Sequence, residues 1–93
     1  MHALRTIDRT KTEQLLSELH AAEAKGRHLS EDEFHGLLNK VIDYGIATTE
    51  RLWSLFKISR PAGDRWQRIS APHPFLRKSV MTGLIKEVQT ALQ

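Results

Sequence analysis

Phe34, Leu37, Leu38, Val41 and Ile42 stand at the i, i+3, i+4, i+7, i+8 spacing that lines one face of an α-helix, and no other feature constrains the fold as much. An apolar face that wide has to be covered by other elements. Ser30-Glu31-Asp32-Glu33 precedes it with the form of a capping box, and Gly45 supplies the left-handed residue that ends it, so the spacing predicts a helix over 30–45. Three carboxylates in a first turn complement the positive end of the helix dipole. That is their ordinary role, set against metal ligation or acid–base work.

The same punctuation divides the rest of the chain. Thr10-Lys11-Thr12-Glu13 predicts a second capping box, opening a helix over 10–26 with Leu15, Leu16, Leu19 and Ala22 as its apolar stripe. Thr48 or Thr49 can cap a short piece over 50–57 that holds Leu52, Trp53, Leu55 and Phe56. Ser59-Arg60-Pro61 opens another helix, reaching about Ile69, because serine is a good cap and proline is tolerated in a first turn. Ser70-Ala71-Pro72-His73-Pro74 has to be a loop or stiff turn. The last helix, over 74–92, keeps Leu76, Val80, Met81, Leu84, Ile85, Val88 and Leu92 in register although Gly83 costs about 1 kcal/mol relative to alanine.

These pieces predict an all-α fold, a compact five-helix bundle that contains a helix-turn-helix over 48–69. The 93 residues suffice for one core and not two, so a single domain over 1–93 is expected. With no cysteine, stability must come from apolar packing or a partner subunit. The first residues lack a signal-like apolar stretch and no run approaches the roughly 20 apolar residues that span a bilayer, so a cytoplasmic chain without a membrane partner is expected. The net charge of +3 is unevenly placed: residues 31–45 hold one Lys/Arg against four Asp/Glu, whereas residues 46–70 hold five against two. A basic half of this kind is either a footprint for phosphate or a solvated surface.

Leu52, Phe56, Ile58, Ser59-Arg60-Pro61 and Arg65-Trp66, followed by Ser70-Ala71-Pro72-His73-Pro74, fit the pattern L-x-x-x-F-x-[VI]-S-R-P-x-x-x-R-W with a Ser-Ala-Pro loop after it. This half of the chain resembles the lambda-repressor-like, or XRE-type, helix-turn-helix regulators. Three positions differ from that pattern: Trp53 stands where a small residue is usual, Lys57 where a glycine leads the turn, and Gly63 where an aliphatic is usual. A Trp53 ring filling the space left by Gly63 would conserve core volume, which predicts a buried Trp53 whose loss costs about 3–5 kcal/mol. Trp53 and Trp66 both fall at helical core positions, which favours packing over stacking on single-stranded nucleic acid.

The resemblance implies a bacterial or phage-type transcriptional regulator, repressor-like, reading double-stranded DNA as a homodimer. With Trp66 and Ile69 inward, Pro61, Asp64 and Arg68 point outward, flanked by Arg60, Arg65 and Gln67, and these six are the expected base-reading residues. Arginine can donate two bonds to guanine, glutamine can pair with adenine, and aspartate can accept from cytosine. Asp64 has a rival role, since it lies four residues from both Arg60 and Arg68 and can simply hold them. Thr48, Thr49, Lys57 and Ser59 stand where the motif approaches phosphates. Arg77 and Lys78 are either a second phosphate clamp or ordinary surface charges.

Other classes of function are expected less. His2, His20, His28, His35 and His73 lack metal-ligand spacing, no nucleophile motif or phosphate-cradling loop is present, and no catalytic residue, metal, cofactor or small-molecule ligand is expected. The rival is a helical protein-interaction or adaptor module without DNA binding. The apolar stripe of the last helix and the amphipathic first helix look wider than one small core can bury, so either is a candidate dimer surface.

Overall fold

The computed structural model describes residues 7–58 and 74–93. Among them the order is α1 (Arg9–Lys25), a 3-10 turn (Gly26–His28), α2 (Glu31–Asp43), α3 (Thr49–Phe56) and α4 (Pro74–Ala91), with no strand. The described residues form an all-helical fold, and the radius of gyration of 12.9 Å is close to the roughly 12 Å of a compact domain this long. The fifth expected helix, Ser59 to Ile69, lies outside the described residues.

Local chemistry sets the helix ends. Ser30 accepts the Glu33 N–H at 3.1 Å, and the Glu33 carboxylate meets the Ser30 hydroxyl, the capping box expected for α2. The start of α1 differs from expectation. Its cap is Asp8, which accepts the Lys11 N–H at 3.0 Å, and Thr10 lies exposed inside the first turn. The competing group is Thr12: its buried hydroxyl donates back to the Asp8 carbonyl at 2.7 Å, and Glu13 pairs with Arg9 instead of reaching for a cap. Gly26 (φ 56°, ψ −127°) and Gly45 (φ 74°) take the positive-φ conformations that end α1 and follow α2.

One core joins the elements. Leu15, Leu19 and Ala22 from α1 meet Phe34, Leu37, Leu38 and Val41 from α2, Leu52 from α3, and Val80, Met81, Leu84, Ile85 and Val88 from α4. Polar links along the edges fix the directions. Lys40 bonds Glu18 at one end of the α1–α2 pair and Lys25 bonds Glu33 at the other, so the two helices run antiparallel. Arg9 donates to the Leu92 carbonyl at 3.0 Å and Thr82 to the Glu23 carboxylate at 2.8 Å, so α4 runs antiparallel to α1 as well.

The described part of the α4 stripe is therefore spent inside the chain. Val80 through Val88 are covered by the chain's own core and Leu92 is partly covered, contrary to the expectation that this face exceeds one small core. The side chains of Leu76 and Arg77 lie outside the described residues. Gly83 also has a cause that its helix cost conceals. A Cβ there would come within 2.7 Å of Cζ of Phe56, so a bare backbone lets the α3 ring lie on α4. Among the described residues, no helix is long and apolar enough to cross a membrane.

Candidate nucleic-acid interface

The side of the protein that precedes Ser59 is built on α3. Thr48 caps it by accepting the Arg51 N–H at 3.1 Å, and as a hydroxyl it keeps its own proton for an external acceptor. Thr49 is half-buried and donates its proton to the Glu50 carboxylate at 2.6 Å, which places a negative charge beside a residue expected to meet phosphate. The far end of the helix is Lys57, exposed and left-handed (φ 58°, ψ 35°), with its N–H closing on the Trp53 carbonyl. Nine residues at 1.5 Å each put Thr48 and Lys57 about 13 Å apart, at opposite ends of α3 rather than around one phosphate.

Leu52 and the half-buried Phe56 turn α3 into the core, and Ile58 is buried just beyond it at 2 % exposure. Trp53 is not part of that core. It is 50 % exposed, contrary to the expectation that its ring fills the interior, and the Lys57 ammonium lies 5.7 Å from its centroid. The reason is angular: α3 enters the core along the Leu52–Phe56 side, and residue 53 lies about 100° round the helix from Leu52 and about 60° beyond Phe56. Thr49, Trp53 and Lys57 share one flank. Leu55, 46 % exposed, shares the other with Arg51.

Arg51 is already engaged. Its guanidinium makes two bonds to the Glu87 carboxylate, one of 3.1 Å, which tie α3 to α4 and strengthen its hold on its proton. Lys78 is exposed in α4. Of the expected phosphate contacts, then, Thr48, Thr49 and Lys57 belong to one short helix and its ends, and Lys78 to another. The expected base-reading residues Arg60, Pro61, Asp64, Arg65, Gln67 and Arg68, together with Ser59 and the Arg77 side chain, lie outside the described residues.

Two features went unseen in the sequence. His35 is buried beside the Phe34 ring, and its Nε2 has no hydrogen-bond partner among the described residues. The second is a groove of about 340 Å³ between α1 and α2, spanned at its ends by the Lys25–Glu33 and Lys40–Glu18 pairs. Its only trace in the sequence is a seven-residue interval, Glu18 to Lys25 on one helix and Glu33 to Lys40 on the other. Among the described residues no group of three or more His, Asp or Glu is arranged to hold a metal ion.

Neither a protein-family model nor a curated protein nor a solved structure matches this chain.

Proposed function

We propose that this chain is a cytoplasmic, repressor-like transcriptional regulator that binds double-stranded DNA as a homodimer, with no catalytic activity. The segment from Ser59 carries base readout through Arg60, Arg65, Gln67 and Arg68. Phosphates are held from Thr48, Lys57 and Lys78.

The observation that carries the reading is the end of α3. Lys57 takes the left-handed conformation at the position where the resembling regulators lead their turn with glycine, Ile58 is driven into the core, and Ser59-Arg60-Pro61 follows at once. A helix-turn-helix needs such a reversal between its backbone-crossing helix and its reading helix. Selection of bound duplexes from a random pool tests it, with an enriched inverted repeat as the expected result. If about six phosphates are neutralised, log K should fall with log salt at a slope near −5. No enrichment and a flat salt dependence would overturn the proposal.

A second reading draws on Trp53 and Leu55. Two large apolar side chains half exposed on one eight-residue helix suit a protein-interaction module, and an adaptor would keep its partner after Arg60→Ala and Arg68→Ala while showing no salt-dependent DNA binding.

A further inference from the structure

A glycine in mid-helix costs stability unless some close approach requires it. At Gly83 the Phe56 ring is that approach. Gly36, in the middle of α2, has none: among the described residues a Cβ there would meet nothing within 4 Å, and the position is exposed. It lines the α1–α2 groove together with Ala21, Ala22 and Leu37. Among the described residues, nothing of the chain's own occupies the space above this bare backbone.

The rim says which molecule. Glu18 and Lys25 stand seven residues apart on α1, about 10.5 Å, and Glu33 and Lys40 stand at the same interval on the antiparallel α2. Because Glu18 pairs with Lys40 and Lys25 with Glu33, the four charges form a quadrilateral whose signs alternate around the groove.

We propose that this groove is the surface on which a second copy of the chain docks, with Gly36 and Ala21 at the centre and Glu18, Lys25, Glu33 and Lys40 as a self-complementary rim. A two-fold axis in the plane of the groove, either along the helices or across them, lays carboxylate over ammonium at all four corners. A rim of one sign would repel its own copy, and a foreign helix would need the same alternating pattern that this chain already supplies. Small residues at the centre let the two backbones approach closely. The described part of the α4 stripe is no competitor, since it is buried within the chain. The proposal specifies the dimer half of the function proposed above and does not depend on its DNA half.

Sedimentation equilibrium of the full chain without DNA tests it. The wild type should dimerise, and Gly36→Gln should weaken the dimer about tenfold or more, with the helicity of the dilute monomer undiminished because a Cβ at this position meets nothing within 4 Å among the described residues. A wild type that stays monomeric at its highest soluble concentration overturns the proposal, as does a Gly36→Gln variant that dimerises like the wild type. A second arm reverses all four charges together: Glu18→Lys, Lys25→Glu, Glu33→Lys and Lys40→Glu. This keeps the pairs within each chain and the complementarity of the variant with itself, so the variant should self-associate yet form no mixed dimers with the wild type. Mixed dimers in statistical proportion would remove the rim from the interface. If the groove dimer forms but no duplex is bound, the DNA proposal alone falls.

Discussion

α2 and α3 have similar raw material and use it differently. Phe34, Leu37, Leu38 and Val41 of α2 are all buried, whereas of Leu52, Trp53, Leu55 and Phe56 of α3 only Leu52 is fully so. Spacing, not hydrophobicity, makes the difference. The α2 residues repeat at three and four and fall on one face over eight positions of a thirteen-residue helix. The α3 residues are crowded into five positions, which at 100° per residue spread them around the helix, and the core reaches one side of it.

The largest effect should come from setting the two helices against each other directly. Phe34→Ala empties a fully covered site and should cost about 3–5 kcal/mol, while Leu55→Ala on α3 should stay within about 0.5 kcal/mol, both read as shifts in the urea midpoint. Equal costs would mean that α3 is covered as α2 is.

The two helical glycines give the next contrast. Gly83→Ala pushes a methyl into the Phe56 ring and should cost about 1–3 kcal/mol, despite the better helix propensity of alanine. Gly36→Ala meets nothing and should gain up to about 1 kcal/mol in the monomer. Should Gly83→Ala also stabilise, the close approach of α3 to α4 would be wrong.

Trp53→Ala separates the expectation drawn from family resemblance from the position found in the structure. A core tryptophan would lose about 3–5 kcal/mol. A half-exposed ring that mainly receives the Lys57 ammonium should lose about 1 kcal/mol or less. The melting curve of this one variant decides between them.

How far the sequence could be read follows from the range of the interactions involved. The capping box at Ser30, the cap at Thr48, the left-handed Gly45 and the stripes of α1, α2 and α4 are local or periodic, and the described elements fall within a few residues of where these signals put them. Asp8 displaced Thr10 because two acceptors compete within one turn, and the buried hydroxyl of Thr12 tipped the choice. Trp53 was misplaced because a motif fixes which residue types occur, not which side of a short helix the core will meet. Gly83 could be read only as a cost until Phe56, 27 positions earlier, was known to lie on it. The groove likewise needed the antiparallel pairing of α1 with α2 before its four charges formed a pattern. Of the candidate interface, Thr48 and Lys57 have the local geometry on which the proposed reading rests.

The smallest effect concerns the pairs that close the two ends of the groove, and its sign differs between them. The hydrogen bond from Lys25 holds the Glu33 carboxyl below its ordinary value of 4.5, so its stabilisation is complete above that value and is lost as pH falls through the lower, folded one. The Glu18 carboxylate raises the Lys40 ammonium above 10.5, so that pair stabilises fully below 10.5 and fails only as pH rises through the higher, folded value. Both contributions are small because the groups are solvated. Glu33→Gln should therefore lower the urea midpoint slightly and by a constant amount through the neutral range, and the gap to wild type should close on acidification, where the glutamate itself becomes neutral. A gap that persists in strong acid would show that Glu33 acts through its shape or its bond to Ser30, and not through its charge on Lys25.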